Sequence, residues 1–216
     1  HGNNLGSLVV LGDDGAGFYS ERILHRRPYI HYIIDNDVGE TPFSELVGAL
    51  ITGKPVRHVS SLVYRERGII FRNPSRHFSL KEKNTIPDLN LIADSLPRYW
   101  ENYISKFGHL HKGPVRPITI NFARGCENAK KRCSYCSIKD LTVNTGNPPE
   151  FWKAVRLYHE RYGINLFFEV DDSLTASPKY VNALMETMPS VLKTKINNRE
   201  IQFMTYARIS GLARKG

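Results

Sequence analysis

The chain contains 216 residues, of which 41% are hydrophobic and 24% are charged. This composition is ordinary for a water-soluble globular protein, and the length allows two small domains. No apolar run approaches the roughly 18 residues of a membrane-spanning helix, so no membrane span is predicted. Thirty Lys and Arg residues against 21 Asp and Glu residues give a formal charge of +9, which favours anionic partners such as nucleic acid, phosphate-bearing cofactors or acidic lipid.

The first part of the sequence alternates apolar runs with helical patterns. Strands are predicted at 7–12 and 30–35, and helices at 18–26 and 41–50, with a glycine-rich loop at 13–17. Thr41 is predicted to be the N-cap of the second helix, with Pro42 at its first helical position. Short apolar strands that alternate with helices predict half of a doubly wound sheet.

The middle of the chain is predicted to be a hairpin followed by a linker. Residues 60–65 and 68–72 alternate as hairpin strands do, with a turn at Glu66-Arg67-Gly68. Residues 73–97 are polar and marked by prolines, which indicates a linker between domains. The aromatic-rich segment 97–103 could stack on a ring, but packing between domains is the favoured use.

The last part of the sequence again alternates strands with helices. Strands are predicted at 118–122, 164–170 and 201–208, and helices at 149–160 and 178–188. In the first of these helices, Phe151, Val155 and Tyr158 recur on one side, which is typical of an amphipathic helix. Repeated strand–helix units predict a parallel sheet whose ligands bind at the carboxyl ends of the strands.

All three cysteines, Cys126, Cys133 and Cys136, lie within eleven residues directly after the predicted strand 118–122. Their odd number and single cluster exclude a disulfide framework and favour a reducing cytoplasm. Three thiolates suit an iron–sulfur cluster that leaves one iron open, whereas a closed zinc site needs four protein ligands. A redox dithiol, or a zinc site completed by His109 or His111, remains an alternative.

At this cysteine segment the sequence resembles the radical S-adenosylmethionine enzymes. Cys133-Ser134-Tyr135-Cys136 matches the second half of their Cys-x-x-x-Cys-x-aromatic-Cys signature, and Arg124-Gly125-Cys126 matches its lead-in. The first half departs, because six residues instead of three separate Cys126 from Cys133. The resemblance implies a metal-binding [4Fe–4S] site on the three cysteines, reductive cleavage of S-adenosylmethionine, and an electron donor such as flavodoxin or ferredoxin.

The resemblance also implies residues for S-adenosylmethionine itself. Acidic strand ends in the family contact the ribose hydroxyls and the amino group, and Glu169, Asp171 and Asp172 stand at such an end. Arg208 ends the next strand, where its guanidinium could pair with the carboxylate of the cofactor. Tyr135 would lie beside the adenine. The alternative for the acidic residues is helix capping.

The first part of the chain resembles the cobalamin-binding domain that precedes the barrel in one subgroup of these enzymes. Gly12 and Gly15 stand where that domain has a glycine turn after a strand, and Val38-Gly39-Glu40-Thr41 stands at its acidic turn. Asp13 replaces the second glycine of the first turn. The cobalamin-ligating Asp-x-His-x-x-Gly motif is absent, and we expect it to lie upstream of His1. The resemblance therefore admits cobalamin without requiring it.

These observations predict an α/β protein in three segments. Residues 1–55 would be the C-terminal part of a Rossmann-like, flavodoxin-like cobalamin-binding domain, 56–114 a hairpin and linker, and 115–216 the first half of a radical S-adenosylmethionine (β/α) barrel. Only three of the family's six strand–helix units fit, so the chain is expected to be a fragment of a longer enzyme.

The predicted function is radical chemistry on an unidentified small molecule or peptide, with cobalamin-dependent methyl transfer as one outcome. Two alternatives stay open. The first is an inactive or zinc-bearing scaffold that binds a partner, which the lengthened cysteine spacing and Asp13 favour. The second is an RNA-modifying radical enzyme, which rests on the basic charge. Nothing in the sequence identifies the substrate.

Overall fold

The computed structural model describes residues 7–12, 14–36, 38–76, 78, 86–126, 134, 143–170, 174 and 177–207. The chain divides into two compact units. The first contains the described residues up to 78 together with Ser134, and the second contains the other described residues. None of the helices that the structure describes combines the length and the apolar character needed to cross a bilayer.

The first unit is a four-stranded mixed sheet with helices on both faces. Its strands are β1 (Val10–Leu11), β2 (Tyr32–Ile34), β3 (Leu62–Glu66) and β4 (Ile69–Arg72), and its helices are α1 (Asp14–Phe18), α2 (Ser20–Arg26) and α3 (Glu40–Thr52), followed by a 3-10 turn at Val56–His58. The strand order is β1-β2-β3-β4. The first pair is parallel and the other two pairs are antiparallel.

Alternation along the strands of this sheet produces two separate apolar layers. Ile33 and Val63 pack with Leu24 of α2 on one face. Ile34 and Leu62 point to the other face, where they pack with Leu46 of α3. All six side chains are buried, because successive residues of a strand point to opposite sides of a sheet and a helix covers each side. Helices on both faces confirm the predicted α/β class.

The hairpin is confirmed, and it belongs to this sheet. Arg67 and Gly68 form a two-residue turn with positive φ angles of 50° and 82°, between Glu66 and its partner Ile69. Such a turn matches the twist of its strands. Because Tyr64 of β3 pairs with Tyr32 of β2, the hairpin continues the sheet of the first unit, where the sequence placed it with the linker.

Two local predictions in the first unit are wrong. The helix after β1 begins at Asp14, not at Phe18, since Ala16 packs against the apolar layer around Leu24 and stabilises a glycine-containing turn of helix. Thr41 is not the N-cap of α3, because the helix begins at Glu40 and its N-cap is Gly39. Proline fits at several positions of a first helical turn, because the N–H groups there have no acceptor within the helix. Pro42 therefore does not determine at which residue α3 begins.

The second unit is built on three parallel strands. Its strands are β5 (Pro117–Ile120), β6 (Ala123–Arg124), β7 (Asn144–Thr145), β8 (Leu166–Glu169) and β9 (Gln202–Thr205), and its helices are α4 (Leu96–Phe107), α5 (Pro148–Tyr162), α6 (Pro178–Thr187) and α7 (Ser190–Asn197), with 3-10 turns at Leu89–Ser95 and Gly108–Leu110. The parallel sheet has the order β5-β8-β9, and β6 pairs separately with β7. The predicted parallel sheet is confirmed, and the described residues form no closed barrel.

One apolar core holds the second unit together. The predicted stripe of α5 is confirmed, since Phe151, Val155 and Tyr158 are all buried in it. The aromatic segment that begins at Pro97 is part of α4, and the indole of Trp100 donates a hydrogen bond to the carbonyl of Pro117 (3.0 Å). This aromatic segment therefore packs within its own unit. Helix α7 was not predicted.

Candidate functional site at the strand ends

The carboxyl ends of the parallel strands form one edge of the sheet in the second unit. Ile120 of β5 is paired with Glu169 of β8, which in turn is paired with Thr205 of β9. Just beyond the strands, the amide of Val170 donates to the carbonyl of Ile120 (3.0 Å), so the end of β8 is held against the end of β5. Ligands of open parallel sheets bind at such an edge.

Cys126 lies two residues beyond β6 on this part of the chain. It follows Gly125, whose φ of 91° is a conformation that residues with a side chain rarely adopt. Its side chain is half-buried and forms no disulfide. A free, partly accessible cysteine is the kind of side chain that can ligate a metal or a cluster.

A short antiparallel ladder connects the chain on either side of residues 127–142. Ala123 pairs with Thr145 and Arg124 pairs with Asn144. The amide of Gly146 also donates a hydrogen bond to the carbonyl of Phe122 (2.6 Å). The ladder therefore holds the two ends of the segment 127–142 next to each other. This ladder was not predicted, although the β-branched residues Val143 and Thr145 stand within the polar stretch and favour a strand.

Glu169 is the predicted cofactor-binding residue that the structure describes at the sheet edge. It is the last residue of β8 and only 2% exposed. Its Oε2 accepts a hydrogen bond from the hydroxyl of Thr205 (3.2 Å), which joins the ends of β8 and β9. Burying a carboxylate is unfavourable unless polar groups satisfy it. Thr205 was not predicted as a site residue, because only the register of β8 and β9 brings it to Glu169.

The other predicted residues of this site lie outside the described residues. They are Cys133, Tyr135, Cys136, Asp171, Asp172 and Arg208. Among the residues that the structure describes, no group of three His, Cys, Asp or Glu side chains is arranged to hold a metal ion. Two described side chains fit the cofactors that the resemblance implies. The Cys126 thiol is a soft ligand suited to the iron of a cluster, and the Glu169 carboxylate lies at the strand end where S-adenosylmethionine would bind.

The glycine turn of the first unit also lies at a strand end. Gly12 directly follows β1, and Gly15 lies in α1. Both are exposed, and apart from the adjacent residues and the backbone of their own helix no described heavy atom lies within 4 Å of the place where either would carry a Cβ. The packing of the described chain therefore does not require glycine at these positions, and open backbone at a strand end fits the approach of a bulky ligand.

The end of β2 lies at the same edge as the glycine turn, because β1 and β2 are parallel. Asn36 accepts a hydrogen bond from the amide of Val38 (2.9 Å) and donates to the hydroxyl of Ser61 (2.8 Å) and the carbonyl of Arg76 (2.9 Å). The predicted acidic turn at 38–41 is thus held at its start by a side chain. Glu40, its acidic residue, is the first residue of α3.

No protein-family model and no curated protein matches the chain significantly. Solved structures do match it. The cobalamin-dependent S-adenosylmethionine radical enzyme OxsB, with aqua-cobalamin and S-adenosylmethionine bound, is 20% identical with a TM-score of 0.62 over 85% of this chain. The apo form of OxsB matches 97% of this chain at 19% identity, with a TM-score of 0.66. The chain has the fold of part of a cobalamin-dependent radical S-adenosylmethionine enzyme.

A second enzyme of this kind supports the same assignment of fold. The radical S-adenosylmethionine methyltransferase TsrM from Kitasatospora setae, with cobalamin and a [4Fe–4S] cluster bound, matches 93% of this chain at 15% identity, with a TM-score of 0.63. The chain spans only 24% of the length of OxsB in the first comparison and 37% of TsrM. The resemblance inferred from the sequence is confirmed for the fold.

Proposed function

We propose that this chain is part of an iron–sulfur radical enzyme that reductively cleaves S-adenosylmethionine. The observation that carries the proposal is the position of Cys126, a free and half-buried cysteine that follows the first parallel strand of a fold shared with such enzymes. A fold alone does not establish an activity. The three clustered cysteines supply the chemical argument.

Cys126, Cys133 and Cys136 are the proposed ligands of a [4Fe–4S] cluster. When bound, the cluster supplies the electron that breaks the bond between the sulfonium and the 5′ carbon of S-adenosylmethionine. The β6–β7 ladder supports this assignment, because it holds both ends of the cysteine segment in one place although the spacing is longer than usual. We propose that flavodoxin or ferredoxin delivers the electron and that the enzyme works in the cytoplasm.

The strand-end carboxylates are proposed to bind the polar groups of S-adenosylmethionine. Glu169, Asp171 and Asp172 would accept hydrogen bonds from its amino group and ribose, Arg208 would pair with its carboxylate, and Tyr135 would lie beside the adenine. Thr205 is a positioning residue in this scheme, because its hydroxyl holds the Glu169 carboxylate at the end of β8.

Cobalamin is proposed as the second cofactor, bound beside the open backbone of Gly12 and Gly15. The match of the chain to enzymes solved with cobalamin bound supports this proposal. Methyl transfer to a small molecule or peptide is then the reaction that we propose for the full-length enzyme. The role of the chain's own residues is to hold both cofactors and to exclude water from them.

The test is anaerobic iron and sulfide analysis of the reconstituted protein, together with absorbance and electron paramagnetic resonance spectra of the reduced state. We expect about four irons and four sulfides per chain in the wild type. Cys126→Ala and Cys133→Ala should each lose most of the iron and the reducible signal. Ser134→Ala is the matched control, since it changes an exposed side chain of the same segment and should keep the cluster.

Two results would contradict this proposal. Stoichiometric zinc in place of iron would favour the zinc-bearing scaffold. Equal iron in wild type and in both cysteine variants would mean that these thiols are not the ligands. If the cluster is established, binding of S-adenosylmethionine should perturb its spectrum in the wild type, and Glu169→Ala should weaken that perturbation.

A further inference from the structure

An open groove of about 560 Å³ lies along helix α2 in the first unit, and neither Gly12 nor Gly15 lines it. Apart from Glu21, its lining consists of aromatic and basic side chains, namely Phe18, Tyr19, Arg22, His25, Arg26 and Arg72. Nothing in the proposed radical chemistry uses this surface. Its composition therefore needs an explanation of its own.

The groove carries positive charge that the described chain does not neutralise. Arg22 and Arg26 are both exposed and form no ion pair with any described residue. They are four residues apart in one helix, so both extend from the same face. Arg72 is different, because it bonds Asp35 and the hydroxyl of Ser20 (2.7 Å) and lies 3.8 Å from Glu21. The two uncompensated guanidinium groups favour an anionic ligand.

Two aromatic side chains lie beside these cations and are largely exposed. Phe18 is 55% exposed and Tyr19 is 60% exposed. Phe18 ends α1 and has a further contact of its own, whereas Tyr19 is the N-cap residue of α2 and lines the groove beside Arg22. Exposed aromatic rings next to arginines offer stacking surfaces for unpaired bases, whereas duplex bases are already stacked on one another.

The wall of the groove is held in place before any ligand binds. Arg65 of β3 donates hydrogen bonds to the carbonyl of Leu24 and to the carbonyl of Pro28 (3.5 Å), at the C-terminal end of α2. Leu24 itself is fully buried in the apolar layer beneath the helix. A pre-organised surface loses little conformational entropy on binding. The groove is thus a built surface of the first unit.

The geometry points to this groove as a binding site for single-stranded nucleic acid, with the ring of Tyr19 stacking on a base and Arg22 and Arg26 contacting phosphates. Charge alone would suit an acidic protein or an anionic membrane equally well. The adjacent exposed ring of Tyr19 favours a ligand that offers both planar bases and phosphates. The inference is independent of the proposed function, because it concerns binding and not radical chemistry.

The test is fluorescence anisotropy of a labelled twelve-residue oligouridylate titrated with the full chain over a range of salt concentrations. In Arg22→Gln/Arg26→Gln, the slope of log affinity against log salt should fall by about 1.4, which corresponds to roughly fifty-fold weaker binding at 50 mM salt. Tyr19→Ala should weaken binding about five-fold or more at every salt concentration, because stacking is not electrostatic.

Matched variants separate the groove from the general basic charge. Lys153→Gln/Arg156→Gln removes the same two charges from the exposed face of α5. Phe43→Ala removes a comparably exposed ring from α3, at 49% exposure. Both should bind the oligonucleotide like the wild type. Circular dichroism of each variant confirms that the fold is retained.

Three outcomes would overturn the inference: no binding at 50 mM salt, equal weakening in the charge control, or tighter binding to anionic phosphatidylserine vesicles than to the oligonucleotide. A duplex of the same length that binds as tightly as the single strand would also refute the stacking role of Tyr19. None of these results depends on whether the protein carries an iron–sulfur cluster.

Discussion

Tyr158 offers a direct test of the packing in the second unit. This residue of α5 is buried in the apolar core of the second unit, and its hydroxyl donates a hydrogen bond to the carbonyl of Pro87 (2.7 Å). Tyr158→Phe removes that donor and keeps the ring. Because Pro87 is exposed, water can reach part of its carbonyl, so we expect a loss of about 1 kcal/mol in the free energy of unfolding.

The pH dependence supplies a second, sharper readout. Burial raises the pKa of Tyr158 to about 12, with smaller contributions from Tyr162 and Asp88. Since a tyrosine in the unfolded chain ionises near 10, the stability from this group is fully present below about pH 10 and is lost as the pH rises towards 12. The loss is at most about 1.4 kcal/mol per pH unit, and solvent screening of the half-shielded hydroxyl reduces it.

The assay is urea denaturation followed by tryptophan fluorescence at pH 8 and pH 11. Both tryptophans of the chain, Trp100 and Trp152, pack in the core of the second unit, so the signal reports that unit. Wild type should exceed Tyr158→Phe in stability at pH 8, and the difference should narrow at pH 11. Tyr162→Phe is the control, because the hydroxyl of Tyr162 donates to Asn90 at an exposed position. Its removal should lower the free energy of unfolding by less than about 0.5 kcal/mol.

The reasoning would be refuted by either of two results. If Tyr158→Phe and Tyr162→Phe lose the same free energy of unfolding at pH 8, the hydrogen bond from Tyr158 to Pro87 stabilises the fold no more than an exposed one. If the difference between wild type and Tyr158→Phe is unchanged at pH 11, the hydroxyl does not titrate with a raised pKa.

Three further substitutions test other parts of the structure. Thr41→Val should raise the free energy of unfolding of the first unit by about 1 kcal/mol, because the buried Oγ1 has no hydrogen-bond partner among the described residues; unchanged or lower stability in thermal circular dichroism would contradict this. Gly68→Ala should lower the free energy of unfolding by about 1–2 kcal/mol because of its positive φ, whereas Gly48→Ala inside α3 should raise it by about 0.5–1 kcal/mol. Thermal circular dichroism should therefore show a lower melting temperature for the first variant and a higher one for the second. Thr205→Val should cost about 1.5 kcal/mol by urea denaturation, since its hydroxyl donates to the Glu169 carboxylate, and Thr205→Ser should restore most of the loss.

The elements predicted correctly are those whose signal is local. The hairpin follows from a turn at Arg67-Gly68 between two alternating runs, and α5 follows from its apolar repeat, with Gly163 ending it at a φ of 68°. Helix α7 was missed because it has only eight residues, so its apolar stripe is limited to Leu192 and Ile196. The segment at Pro97 looked like a linker, although proline also suits the first turn of a helix, which is its place in α4.

The candidate site divides in the same way. Cys126 is a candidate ligand that follows from the spacing of the cysteines alone, because a ligand motif is a local pattern, and its role as a ligand stays a prediction. The hydrogen bond between Glu169 and Thr205 could not be predicted, since it depends on which residues of β8 and β9 stand opposite each other. The pairing of Ala123 with Thr145 likewise joins positions that only the folded chain brings together.

The parallel pairing of β5 with β8 has a consequence for how the second unit folds. Around it, Arg116 donates its amide hydrogen to the side chain of Asn165, 49 residues further along the chain. A hairpin such as β3–β4 closes in roughly microseconds, but a parallel pair must wait until a long loop has closed. We therefore expect stopped-flow tryptophan fluorescence to show refolding much slower than hairpin closure. The sheet edge that carries Glu169 would be among the last places in the unit to acquire its native form.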